Sequence, residues 1–128
     1  MNTIIYTHDN AEFESFKSLV INASGTSSVT HAEINGHKTY KIVYDLAIVA
    51  LDGAEGMEVV REYTLRFPNT RVIWISNDRF FAGAALRNHI FDFITRPVDN
   101  SWLEHSIREA THLFTDGFQD TGGLKSWA

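Results

Sequence analysis

Apolar positions along this chain follow two alternating rhythms. The densest run is Asp45-Leu46-Ala47-Ile48-Val49-Ala50-Leu51-Asp52, in which Leu46 to Leu51 is apolar throughout, as expected of a strand covered on both faces in a parallel sheet. Three further runs read as strands: Thr3 to Thr7, Val72 to Ser76 after the turn signal Pro68-Asn69-Thr70, and Phe91 to Thr95, closed by Arg96-Pro97 because proline cannot continue a central strand. A weaker fifth, about Ser28 to Ile34, precedes Asn35-Gly36.

Between the strands the spacing lengthens to three and four. Asp9-Asn10 can cap a helix carrying Phe13, Phe16, Leu19 and Val20. Met57, Val59, Val60, Tyr63, Leu65 and Phe67 mark a second helix ending near Pro68. A third follows Asn77-Asp78 with Phe81, Ala82, Ala85 and Leu86. A fourth starts near Asn100 or Ser101 and places Leu103, Ile107, Ala110 and Phe114 on one stripe. His37 to Tyr44 is at best a short, poorly patterned helix. Strands alternating with helices imply right-handed βαβ units and a doubly wound, five-stranded parallel α/β sandwich. Residues 1–114 form one domain, and 115–128, with Gly117, Gly122 and Gly123, have lost the periodicity and read as a flexible tail or the start of a linker.

Composition narrows the function. At 128 residues the chain has room for one core. Its net charge of −5 comes without any basic run, which argues against nucleic acid as a direct ligand. No stretch reaches the roughly 20 apolar residues a bilayer span needs, and the N-terminus lacks the features of a signal peptide, so a cytoplasmic location is expected. The absence of cysteine removes disulfides, thiol catalysis and cysteine-bound metals. No nucleophile–base pair, metal cluster or glycine-rich phosphate loop is visible, so the chain does not read as an enzyme.

Several pieces in fixed order carry a resemblance: Tyr44-Asp45-Leu46, Gly56-Met57-Glu58, Val72-Ile73-Trp74-Ile75-Ser76 and Phe93-Ile94-Thr95-Arg96-Pro97-Val98-Asp99. Together, across residues 3 to 114, they resemble the CheY-like receiver domain of two-component response regulators. The resemblance implies a flavodoxin-like three-layer sandwich with strand order 2-1-3-4-5. It also implies a site built from an acidic pair after the first strand, a phosphorylated aspartate on the third, a hydroxyl on the fourth and a lysine before the proline, working with Mg²⁺. Here those places hold His8-Asp9, Ala50, Ser76 and Arg96.

Asp9 and Ser76 fit that pattern; His8, Ala50 and Arg96 depart from it. Phosphoryl transfer needs an oxygen nucleophile, and Ala50 offers a methyl group. Mg²⁺ is held through carboxylates, water and phosphate, so binding is expected to be weak or absent and no cofactor is implied. Arg96 keeps a positive charge whose planar fork suits carboxylates, which predicts an Asp9–Arg96 ion pair, bonded to Ser76, in place of metal and phosphate. Asp52 is either the turn that leaves the strand, where aspartate caps and Gly53 bends, or a displaced phosphoacceptor.

The histidines offer no metal site: His105 and His112 lie about 10 Å apart along a helix, and His8 has no identifiable third ligand. His89 stands where the family usually has a helix-ending glycine, and histidine tolerates the left-handed conformation. Phe93 falls at the family's switch aromatic. With Phe80, Phe91 and Trp102 it suggests an interaction face, the family's helix 4–strand 5–helix 5 surface. The expected function is a phosphorylation-independent pseudo-receiver in bacterial signal transduction or transcription control, binding a protein partner or itself as a homodimer, with no membrane contact. Two alternatives stay open: a phosphorylatable receiver using Asp52, and a sensor of a small anion or metabolite in the vacated pocket near Asp9, Ser76 and Arg96.

Overall fold

In the computed structural model, which describes residues 1–25, 28–34 and 42–115 (side chains at 86 and 112–115 excepted), the Leu46 run forms the central strand. The strands are β1 (Thr3–Tyr6), β2 (Val29–His31), β3 (Leu46–Val49), β4 (Arg71–Ser76) and β5 (Asp92–Thr95). All are parallel, in the order β2-β1-β3-β4-β5, as the resemblance implied. The helices are α1 (Asn10–Ser24), α2 (Gly53–Arg66), α3 (Ala82–Arg87) and α4 (Asn100–Thr115), with a 3-10 turn at Arg79–Phe81 leading into α3. Among the described residues no helix is long and apolar enough to cross a membrane.

Each strand divides its side chains between two cores, because successive residues point to opposite faces. Ile4, Tyr6, Ala47, Val49, Val72 and Trp74 meet Val59, Val60 and Tyr63 of α2 and Ala84 and Ala85 of α3. On the other face Ile5, Leu46, Ile48, Ile73, Ile75 and Ile94 meet Phe13, Phe16 and Val20 of α1 and Leu103, Ile107 and Ala110 of α4. All four residues of β3 are buried. Its unbroken apolar run follows from having helices on both sides.

Element ends follow local chemistry. Asp9 accepts from the amides of Ala11 and Glu12 and starts α1; Asp78 accepts from Phe80 N; Asp99 accepts from Ser101 N and Trp102 N at the head of α4. Such caps satisfy amides that have no partner within the helix. His89 adopts φ 55° after α3, the left-handed conformation expected of it. The Arg96–Pro97 peptide is cis.

Several boundaries differ from expectation: β1 ends at Tyr6, β2 is only Val29–His31, β3 ends at Val49 although Ala50 and Leu51 stay buried, and β4 begins at Arg71. β5 begins at Asp92, not Phe91; the Phe91 amide still donates to the Val72 carbonyl. The second helix begins at Gly53, four residues before Met57, over a turn with no apolar periodicity to announce it. Of the weak helical pattern from His37 to Tyr44, residues 37–41 lie outside the described part and 42–44 are irregular. The expected tail at 115–128 falls outside the described residues from 116 onward, as do the side chains of Leu86 and Phe114.

Ile48→Ala, in a strand with helices on both faces, is expected to cost about 2–5 kcal/mol. Leu65→Ala, at a residue 72% exposed, should change stability by no more than about 0.5 kcal/mol. Equilibrium urea unfolding of the two variants measures both.

Candidate functional site

Parallel register brings the carboxyl ends of β1, β3, β4 and β5 side by side. Tyr6 pairs with Val49, and Ser76 with Thr95. The residues that follow therefore converge: Thr7 to Asp9, Ala50 to Asp52, Ser76 to Asp78, and Arg96. Ends of strands in open α/β sheets are where ligand sites collect.

Arg96 occupies the centre. Its Nε donates to Glu12 Oε2 at 3.1 Å and its Nη2 to Glu12 Oε1 at 2.9 Å, a two-pronged pair between side chains about one-fifth exposed. Nη2 also reaches the Ala50 carbonyl at 3.2 Å, and Nη1 lies 3.5 Å from Asp52 Oδ1. Hydrogen bonds from Arg96 to Glu12 raise its pKa above the ordinary guanidinium value; burial opposes this, and the charges of Glu12, Asp52 and Asp9 reinforce it. Thr7 Oγ1 donates to Glu12 Oε1 at 2.6 Å, the oxygen that also accepts from Arg96 Nη2, and helps to fix the carboxylate.

The expected Asp9–Arg96 pair is not formed. Asp9 spends Oδ1 on the amides of Ala11 and Glu12 and influences Arg96 only through its charge. The first turn of α1 thus divides its two carboxylates, one capping the helix and one neutralising the arginine. Nor does the Ser76 hydroxyl bond to Asp9 or to the Arg96 guanidinium: it donates to Asp52 Oδ1 at 3.1 Å and accepts from Asp78 N at 3.0 Å, while the Arg96 amide donates to the Ser76 carbonyl at 2.9 Å.

Asp52 departs from the simple turn reading. It holds the N-cap position of α2, yet its carboxylate makes no capping bond. It turns across the pocket instead, accepting from Asn77 N and Asn77 Nδ2, both at 2.7 Å, as well as from Ser76. Burial pushes its pKa up, but hydrogen bonds from the Asn77 amide, the Asn77 side chain and Ser76, with the nearby Arg96 charge, bring it below its ordinary value. Gly53 follows with φ 59°, a conformation that glycine reaches without strain.

The other positions fall around this centre. Ala50 is 4% exposed, with its methyl in the apolar core beside α1 and α4 and its amide donating to the Tyr6 carbonyl. His8 Nε2 lies 2.9 and 3.0 Å from the two oxygens of Glu55, clasping the β1–α1 loop to the first turn of α2. Phe80 is 84% exposed and Trp102 53% exposed. Phe91 and Phe93 are half-buried against the two cores, so the aromatic face presents two of its four expected members. Glu12 and Asn77 were not anticipated as pocket residues. Asp9 and Glu12 do stand at capping-box spacing, a legible signal, although Glu12 turns to Arg96 and the Asp9 amide goes to Thr7 Oγ1.

Mg²⁺, implied by the resemblance, suits this donor set poorly. A hard cation needs six oxygens in near-octahedral array, whereas Glu12 and Asp52 both direct oxygens at Arg96 and Asp9 is used by helix amides. Any divalent ion placed among them would face a fixed guanidinium. Among the described residues no three His, Cys, Asp or Glu side chains are grouped to hold a metal ion.

The Asp52 shift makes a pH dependence. Its folded pKa lies below the unfolded one, so its contribution is complete above about pH 4 and is lost as pH falls through the folded value. In acid unfolding followed by circular dichroism, Asp52→Asn is expected to be less stable than the native chain at neutral pH. The gap should narrow below about pH 4.

No protein-family model matches the chain, and no curated protein matches it in sequence. Solved structures do match. The response regulatory domain of protein mrkE from Klebsiella pneumoniae superposes with a TM-score of 0.72 at 14% identity, over 91% of this chain and 99% of that one. A response regulator receiver domain protein from Clostridium thermocellum gives 0.68 at 19% identity, over 92% and 100%. A signal receiver domain of a two-component histidine kinase from the same organism gives 0.69 at 25% identity, over 86% and 96%. With its sheet order of 2-1-3-4-5 and helices on both faces, the chain has the CheY-like fold of response-regulator receiver domains.

Proposed function

We propose that this chain is a pseudo-receiver: a receiver domain of bacterial two-component signalling or transcription control that works in the cytoplasm by protein interaction and without phosphorylation. One observation carries the reading. Around Ala50, at the family's phosphoacceptor place, Arg96 is bound to Glu12 and faces Asp52, while Asp52 is bound to Ser76 and Asn77. The groups that would hold a phosphoryl group and its metal hold one another. A guanidinium takes the role of the cation, Glu12 and Asp52 take the role of the anion, and Mg²⁺ binding is weak or absent. The chain is accordingly a signalling module and not an enzyme.

Asp52 supports a second reading. Its carboxylate has gathered the hydroxyl of Ser76 and the charge of Arg96, the two kinds of group that would steady a phosphoryl group, so it is the one candidate for a displaced acceptor. Against this, four donors already engage it, three on Oδ1 and one on Oδ2, and they draw electron density from an attacking oxygen. A small-anion sensor is less well supported, because the Arg96 fork already faces two carboxylates and a carbonyl.

Incubation with a small phosphodonor and Mg²⁺, followed by intact-mass measurement, separates these readings. The pseudo-receiver is expected to gain no mass. A phosphate adduct that disappears in Asp52→Asn would establish the second reading in its place.

Output then rests on surface contacts. Phe80 and Trp102 stand just past the ends of β4 and β5, on the two helical layers flanking that edge of the sheet. Exposed aromatics of this size are the usual anchors of protein interfaces, and a second copy of the chain is the proposed partner. Sedimentation equilibrium is expected to show a dimer for the native chain and at least a tenfold weaker association for Phe80→Ala/Trp102→Ala, about the loss of 1.4 kcal/mol. A native monomer would remove self-association from the proposal.

A further inference from the structure

Trp74 is the largest fully buried side chain among the described residues, and both its polar and its apolar parts are engaged. Its indole Nε1 donates to the Leu51 carbonyl at 2.9 Å. That carbonyl belongs to the peptide leading into Asp52, so the bond sets the backbone from which the pocket carboxylate is presented. Gly56 keeps the space open. A Cβ there would lie 2.8 Å from Trp74 Nε1 and closer still to the Leu51 oxygen.

The ring faces the opposite way. Phe93 of β5, its partner in register, meets it edge-on at 5.4 Å and 88°, and Phe81 lies against it at 5.6 Å. Phe81 in turn contacts Phe80 at 6.1 Å, the most exposed large apolar residue described. Three aromatic rings, Trp74, Phe81 and Phe80, thus run from the pocket backbone to the surface with one donor at the inner end, and Phe93 packs beside the first of them. In an interior packed as densely as a crystal, a ring with neighbours on both sides cannot shift alone.

We infer that Trp74 is a positioning residue that ties the Asp52 loop to the half-buried rings of Phe81 and Phe93 beneath exposed Phe80, so that a displacement at either end is carried to the other. The indole N–H is the coupling element, and Gly56 is the glycine that permits it. This inference rests on packing and holds for a phosphorylated or an unphosphorylated pocket, so its test and the mass measurement fail independently.

The test uses the full chain, labelled for NMR, with Asp52→Asn as a small perturbation of the pocket. The Phe80 amide is a poor reporter, because Asn77 and Asp78 lead from Asp52 to it directly. The Phe93 ring signals serve instead, since Phe81 is reached by the same route through its amide's bond to the Asp78 carbonyl. Asp52→Asn is expected to shift them in the native background and to lose most of that effect in a Trp74→Phe background, where the ring remains and the donor is gone. Should Trp74→Phe fail to fold, Gly56→Ala decides. It is expected to speed exchange of the Trp74 indole proton about five- to tenfold, the scale of one lost hydrogen bond, and to reduce the ring shifts as well. Undiminished ring shifts without the indole donor, or no ring shift in the native chain, would overturn the assignment.

Discussion

A parallel sheet has to hide both faces, and β3 sets the terms on which this chain does so. Four consecutive buried residues, Leu46–Val49, leave no polar side to present to water, so α1 and α4 must cover one face and α2 and α3 the other. That demand aligns the four strands β1, β3, β4 and β5 in register and gathers their carboxyl ends at one rim. At one edge β2 is only three residues long, which limits unpaired backbone open to another chain there.

At that rim the decisive quantity is charge. Glu12, Asp52 and Asp9 face a single guanidinium, and every one of the three carboxylates has a defined donor set. A partly buried arginine with a two-pronged carboxylate partner is a specific geometry, one that a lysine could not reproduce. Ala50 fits beneath it because its methyl belongs to the apolar core, while only its carbonyl joins the polar network.

Much of this was legible along the chain, because burial on both faces writes itself as unbroken apolar runs. The runs at Leu46 and Val72, the cap at Asp9, a helical turn after Asn77-Asp78 and the left-handed His89 all read correctly. Ser76 and Arg96 are brought to one place by the family resemblance, with Asp52 beside them as a turn or a displaced acceptor. Partner choice could not be read this way. Asp9 and Glu12 share one helical turn, and only the positions of the helix amides decide which carboxylate is left for Arg96. The departure of Asp52 from its cap is of the same kind: Asn77 competes from 25 residues away and wins with two short bonds.

The Glu12–Arg96 pair joins residues 84 positions apart. Contacts of such separation carry a high loop-closure cost and govern folding speed more than final stability. The pair cannot close until β5 has docked beside β4. On the ribosome, every element that contributes a carboxylate to the pocket is synthesised before its one cation. A nascent chain that ends before residue 96 therefore carries an acidic rim without the Arg96 counter-charge, and closure of the pocket marks the docking of β5.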